Sequence, residues 1–365
     1  MPSDKDKKAA QRAARRPAKY SFRPTWNRQV LRYVFAKRLP FVMYDTETTG
    51  TDPDKDRVIQ FAGIRYSFDE AGRLVEDGRV VTYIDQPVPI SPGASRANGI
   101  TSRDLEGAPS EQEAFAEIAA LFGPRPVACG YNILAFDNAM MKEMYARNGA
   151  EFRPVATLDV SELVRDFVPA ERDRGRTQAE MAALYGVDDG IKFHDAAADI
   201  EACRRLLLCM VEEDARTAMG GKAPIFPQAV WWFPKKPVPD GTSQGAAKLR
   251  ACSRSQHGIY VRTNVFLFDK KTGREQAVTI WYSTTDKCWY SGRIDFSKYD
   301  MDRFTVAVLR MLGYRASGLQ SALEAMSDFG RLSERKLNAR MREVRERERK
   351  DGDATECGAA EGGAS

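Results

Sequence analysis

Between residues 41 and 214, the order of the apolar runs leaves few folds open. Residues 41–44 (Phe-Val-Met-Tyr) form a short apolar run closed by polar residues, which reads as a buried strand. Residues 57–66, with Val58, Ile59, Phe61 and Ile64 as apolar members, read as a second strand, and residues 80–84 as a third. Loops rich in Gly, Asp and Pro join the three, which suits antiparallel neighbours. The period then changes. Ser110 with Glu113 three residues on makes a capping box, and Phe115, Ile118, Ala119 and Phe122 fall on one helical face. Residues 127–131 and 155–158 read as strands. Between them a helix over 136–148 is stopped by Gly149, and further helices are expected near 177–185 and 196–214.

Three antiparallel strands followed by alternating helices and strands predict an α/β fold, an RNase H-like mixed five-stranded sheet flanked by helices. A zone rich in Gly and Pro over 219–257, with Trp231 and Trp232 inside it, reads as a linker. Beyond it, 258–268 and 275–294 are rich in β-branched and aromatic residues. With helices expected near 301–312 and 318–329, they predict a smaller β-rich α+β domain over 258–330. The expected layout is therefore an arm over 1–40, a main domain over 41–218, the linker, the accessory domain, and a charged tail over 331–365.

Charge is unevenly placed. The net charge is +5, yet residues 1–40 hold twelve Lys and Arg against Asp4 and Asp6, so the other 325 residues sum to −5. A basic arm on an acidic body points to a polyanionic partner, or to a solvated tail. Tyr20, Phe22, Trp26, Tyr33 and Phe35 interleave with Arg23, Arg28 and Arg32, so 1–18 is expected to be disordered and 20–39 to dock on the body or on nucleic acid. Residues 331–351, with nine Lys or Arg and five acids and almost no apolar stripe, read as an exposed charged helix. The Gly/Ala-rich end from 352 reads as disordered. No long apolar run or apolar leader appears, so neither a membrane span nor a signal peptide is expected, and the expectation is a cytoplasmic protein. The six cysteines are scattered without a C-x-x-C pair and only two histidines exist, which speaks against a zinc site and for a reducing compartment.

The chemistry-bearing residues are carboxylates. Asp45 and Glu47, at i and i+2 on the end of the first strand, share one side of the sheet; a solvated strand end is the alternative. Asp137 opens the second helix, where the dipole alone also favours an acid. His194 precedes Asp199 by five residues, which places the ring in the loop before a helix and the carboxylate in its first turns. Four carboxylates from three elements, with one histidine, suit a site for two Mg²⁺ ions, or Mn²⁺, that grip the attacking and leaving oxygens of a phosphodiester.

These residues resemble the three motifs of the DEDDh 3′→5′ exonucleases: Asp45-Thr46-Glu47, Asn132 to Asp137, and His194 to Asp199. The resemblance extends to the bacterial exodeoxyribonuclease I family through Tyr44 to Gly50, Asp56-Arg57, Gln60 to Arg65, Asn98-Gly99-Ile100-Thr101, and Gly130-Tyr131-Asn132 through Phe136-Asp137 to Asn148. It spans about residues 41–213. It implies that Asp45, Glu47, Asp137 and Asp199 hold the metals and that His194 is the general base. Thr48, Asn98, Ile100 and Asn132 would bind the terminal nucleotide; Tyr131 and Phe136 would shape its pocket, with a core role as their alternative. It also implies stepwise release of mononucleotides from single-stranded DNA, a task of repair, recombination or proofreading. RNA remains the alternative substrate, since carboxylates and metals do not discriminate sugars. A nucleic-acid-binding module within a complex is the third reading. No motif in 225–330 matches the SH3-like and helical domains of that family. The basic residues Lys235, Lys236, Lys248, Arg250, Arg254 and Arg262, with Trp231, Trp232, Tyr260, Trp281 and Trp289, read either as a stacking and phosphate-tracking groove or as an ordinary aromatic core.

Overall fold

A computed structural model describes residues 19–168, 177–193, 196–216, 248–255, 258–269, 274–284, 286–292, 295–296, 301–333, 335–340, 342–343 and 346. The expectations for residues 1–18, for most of the linker including Trp231, Trp232, Lys235 and Lys236, for His194 and for the tail from 352 lie outside the described residues. The chain forms two compact units, Thr25–Phe226 and a second made of Met1–Pro24 with Pro227–Ser365.

The chain enters the described region through β1 (Tyr20–Phe22), a strand of the second unit, and then helix α1 (Trp26–Lys37) of the first. Of the arm expected over 1–40, the stretch 20–37, expected to dock on the body or on nucleic acid, forms this strand and helix. Trp26, Val30, Leu31 and Val34 share one face of α1 and are all buried. Opposite charge fixes the helix: Arg28 and Arg32 both donate to the Asp214 carboxylate, at 2.8–2.9 and 2.6–2.9 Å.

Strands β2 (Phe41–Thr48), β3 (Val58–Phe68) and β4 (Leu74–Tyr83) form an antiparallel meander. Helices α2 (Pro92–Asn98) and α3 (Glu111–Phe122) follow, then β5 (Val127–Gly130), α4 (Asp137–Arg147), β6 (Ala156–Asp159), α5 (Val160–Phe167), α6 (Gln178–Tyr185) and α7 (Ala196–Arg216). The sheet order is β4-β3-β2-β5-β6, with β5 and β6 parallel to β2, so the expected mixed five-stranded α/β sheet is present. Short β5 and β6 are buried along their whole length, as strands covered on both faces are. Two short helices escape the sequence reading, α2 and α5, and both have visible caps. Ser91 accepts from the Ala94 N–H ahead of Pro92, and the Asp159 carboxylate accepts from Ser161 and Glu162 N–H.

Tyr44 centres the aromatic core on one face of β2. Its ring stacks on Phe61 at 5.9 Å and meets Phe122 and Phe152 edge-on at 5.3 and 6.4 Å. At Gly130 a Cβ would lie 2.6 Å from the Tyr44 carbonyl oxygen and 2.4 Å from Ile133, so only glycine lets β5 close on β2 and turn at once.

The second unit is a wholly antiparallel sheet of order β1-β10-β9-β8-β7, with β7 (Lys248–Ser255), β8 (Gly258–Asp269), β9 (Arg274–Ser283) and β10 (Cys288–Ser291), followed by α8 (Met301–Met311) and α9 (Leu319–Arg331). The linker expected over 219–257 thus gives way to a strand at 248. Within 275–294, read as β, strands β9 and β10 form a hairpin. Trp289 is core: it is fully buried, and its indole N–H donates to Thr305 Oγ1 at 2.9 Å. Residues 335–340 are helical, but not as an exposed rod. Leu337 is fully buried and the Arg340 guanidinium sits 4.2 Å over the Tyr314 ring. Cys129, Cys203, Cys209 and Cys288 are free thiols, and among the described residues no helix is long and apolar enough to cross a membrane.

Two outcomes follow. Gly130→Ala is expected to lower stability by about 1–3 kcal/mol, read by urea unfolding, because the added carbon meets backbone. Burial raises the Asp214 carboxyl, but hydrogen bonds from Arg32 and Arg28 outweigh it and the net shift is downward. A depressed folded-state value means the stabilisation is present above the ordinary carboxylate range and lost as pH falls through the depressed value. Asp214→Asn should therefore be less stable than the parent chain at neutral pH, with the gap closing in acid.

Candidate active site

Asp45 and Glu47 alternate with Tyr44 and Thr46 along β2, so the carboxylates take one face of the strand while Tyr44 and Thr46 take the other. The β2–β3 register shifts between Glu47 and Thr48, a bulge that ends regular pairing where the carboxylates lie. Asp137, the first residue of α4, is buried, and its Oδ1 accepts from the Thr46 N–H at 3.0 Å and from the Thr46 hydroxyl at 2.6 Å. Next to it, Asn138 Oδ1 accepts from the Tyr44 hydroxyl at 2.5 Å. Two adjacent residues of α4 are thus pinned to β2 on either side of Asp45. Asp199 comes from the first turn of α7, and the Gln178 side chain donates to its backbone carbonyl.

Asp45, Glu47, Asp137 and Asp199 line one open cavity of about 470 Å³, together with Thr46, Tyr131, Asn132, Phe136, Ser161, Arg165, Thr177 and Gln178. That volume lies within the roughly 300–1,000 Å³ of small-molecule sites. The carboxylates crowd one another. Burial first, then the charges of Asp137, Glu47 and Asp199, push the Asp45 carboxyl well above the usual carboxylate range. Burial and then Asp137 raise Glu47 to about 7, against a hydrogen bond from Asn98. Burial raises Asp137 to about 6, against the bonds from Thr46. Like charges gathered this way hold positive charge strongly. Among the described residues no three His, Cys, Asp or Glu side chains close up around an ion position as they stand. The donor set itself, four carboxylates facing one cavity, fits hard divalent cations.

A buried carboxylate behind the cavity shapes its far wall. Asp159 accepts from the Asn132 N–H at 3.0 Å with Oδ1 and from the Leu134 N–H at 3.0 Å with Oδ2. The same Oδ1 caps α5 through the Ser161 N–H at 3.0 Å and the Ser161 hydroxyl at 2.7 Å. Asn132 has a φ of 62°, a left-handed backbone that this anchoring sustains. The loop so fixed delivers Tyr131, Asn132 and Phe136 to the cavity.

Three residues expected at the nucleotide lie outside the cavity lining. Thr48 is buried with its hydroxyl donating to the Gly50 carbonyl at 2.6 Å. Ile100 is buried against Ile59 and Leu105. Asn98 donates to the Thr48 carbonyl at 3.3 Å and accepts from the Ile100 N–H at 3.0 Å, so it braces the strand end behind Glu47. Ser161, Arg165, Thr177 and Gln178 are the residues that the sequence reading missed. The first two ride on unread α5, whose signal was the spacing of Val160, Leu163, Val164 and Phe167. Removing the Asp159 anchor leaves two loop N–H groups and a helix end without an acceptor. Asp159→Ala is expected to cost about 3 kcal/mol or more in denaturant unfolding.

Comparison with known proteins agrees with this geometry. The RNase T exonuclease family model matches residues 42–207. Ribonuclease T of Escherichia coli O9:H4 is 30% identical over 175 residues, 44% of this chain and 79% of that protein. Exodeoxyribonuclease I of Escherichia coli K12 is 34% identical over 116 residues, 30% of this chain and 23% of that protein. The PolC-type DNA polymerase III of Mycoplasmopsis pulmonis is 28% identical over 147 residues, 40% of this chain, and the match spans only 10% of that polymerase. With its four carboxylates on one cavity and a family match that contains them all, the chain belongs to the RNase T family of exonucleases, within the DEDDh superfamily.

Proposed function

We propose that this chain is a metal-dependent 3′→5′ exonuclease that hydrolyses the 3′-terminal phosphodiester of single-stranded DNA and releases 5′-mononucleotides. The observation that carries the reading is the meeting of Asp45, Glu47, Asp137 and Asp199, from β2, α4 and α7, in one cavity where burial and mutual repulsion favour bound cations. These four would hold two Mg²⁺ or Mn²⁺ ions. Bound there, the metals would polarise the phosphodiester and lower the pKa of the attacking water.

The chain's own residues supply the rest. Thr46 holds the Asp137 carboxylate by two hydrogen bonds, and the Tyr44–Asn138 bond keeps the start of α4 in place. That pinning orients one ligand without reorganisation during the reaction. Tyr131 and Phe136 line the cavity with flat apolar surface, suited to a nucleobase or sugar, and Asn132 offers a polar contact. His194, five residues before Asp199, is assigned as the general base that takes a proton from water.

RNA is the second reading, supported by the 30% identity to a protein named ribonuclease T. The likeness to exodeoxyribonuclease I supports DNA. Matched 3′-labelled DNA and RNA oligonucleotides in competition separate the two. Faster decay of RNA overturns the DNA assignment while leaving the exonuclease intact. Tight binding without any metal-dependent release would favour a binding module instead.

Release of label is expected with Mg²⁺ and to stop with EDTA. Asp45→Ala is expected to reduce turnover to background while the circular dichroism spectrum stays that of the parent chain. Because cations would bind the folded carboxylates and not the unfolded chain, Mg²⁺ or Mn²⁺ at a hundred times its Kd should stabilise the fold by about 2.7 kcal/mol. That rise in melting temperature should vanish in Asp45→Ala.

A further inference from the structure

Within the first unit, one side chain lining the acidic cavity has the opposite sign. Arg165, in the second turn of α5, is the single Lys or Arg among the described residues that line it. Its side chain is 24% exposed, so part of it remains accessible. One ion pair lies within its own helix: Arg165 Nε stands 3.7 Å from Glu162 Oε1, one helical turn back. The elements around it fix the guanidinium's place. α5 is capped by Asp159, and the same carboxylate holds the loop that brings Tyr131, Asn132 and Phe136 to the cavity.

A nucleic-acid chain brings a negative phosphate at every nucleotide into a cavity lined by four carboxylates. Divalent ions held by the carboxylates would offset charge at the cleaved bond only. A phosphate held away from that bond needs a partner of its own, and an arginine fork suits the planar, bidentate geometry of phosphate oxygens. We propose that Arg165 binds a backbone phosphate of the substrate and so sets the position of the strand in the cavity. This rests on the exonuclease reading above and adds a substrate contact on α5, an element outside the carboxylate motifs.

The test uses the full chain and three variants, Arg165→Gln, Arg165→Lys and Glu162→Gln. Two readouts are taken: steady-state hydrolysis of a 3′-labelled oligonucleotide with Mg²⁺, and equilibrium binding of a 5′-labelled oligonucleotide in EDTA as a function of NaCl. For Arg165→Gln, KM is expected to rise about ten-fold or more, the loss of one charge-assisted contact, with kcat changed far less. The slope of log K against log salt should fall in magnitude by about one, as for one phosphate contact removed. Arg165→Lys should keep the salt slope but recover KM only in part, since lysine lacks the fork.

Glu162→Gln decides between a substrate contact and a structural ion pair. If Arg165 meets phosphate, removing the Glu162 charge leaves KM unchanged or lower. If the pair merely staples α5, Glu162→Gln mimics Arg165→Gln, and the proposal is overturned. An unchanged salt slope in Arg165→Gln overturns it as well, as does a loss of kcat with KM untouched and a lowered melting temperature. The exonuclease reading fails by a different result, the absence of metal-dependent release from the unaltered chain, and the EDTA binding measurement stands apart from that outcome.

Discussion

Everything at the cavity depends on how the first turn of α4 is seated against β2. Thr46 gives both its backbone N–H and its hydroxyl to the Asp137 carboxylate, and Tyr44 gives its hydroxyl to Asn138. These bonds join the strand that carries Asp45 and Glu47 to the helix that carries Asp137, across a sequence distance of about ninety residues. Tyr44 is also the hub of the aromatic core, against Phe61, Phe122 and Phe152. Packing and site geometry are therefore set by the same side chain, and a change in the core reaches the carboxylates without crossing any flexible element.

The cavity holds a stress that the fold alone does not relieve. Burial strips these carboxylates of water, and at Asp45 and Glu47 the neighbouring acids add to it, so their proton affinities are raised. A protein built only for stability would separate them or pair each with a cation of its own. Asp214 is paired in that way, between Arg28 and Arg32, whereas Asp45, Glu47, Asp137 and Asp199 are gathered on one cavity. Local conflict of this kind is expected where function, and not stability, sets the residues.

Much of the fold was legible because its signals are local. The meander, the capping box at Ser110 and the carboxylate spacing on β2 depend on neighbours within a few residues, and the mixed sheet follows from their order. Asp45, Glu47, Asp137 and Asp199 were readable as a set because each stands at the start or end of an element. What was missed is non-local or was overlooked. Whether Thr48, Asn98 and Ile100 reach the cavity depends on how the strand after the bulge turns, which no spacing shows. Docking of 20–39 was expected, on the body or on nucleic acid, but its partner Asp214 lies almost two hundred residues away and was not foreseen. Asp159 looks like any helix cap until the loop at Asn132 is folded onto it. α5 is the exception, since its apolar period was plain in the sequence, and with it went Arg165.

The three-residue strand β1 has a consequence for how the chain matures. Tyr20 pairs with Ser291 and Phe22 with Trp289, so this border strand of the second unit's sheet is synthesised some 270 residues ahead of its partner β10. Throughout that interval its backbone lacks a mate, and a stretch of only three residues gives a stray strand little to grip. It follows that a fragment starting at the Pro-rich zone would be born one strand short, with the flank of β10 bared.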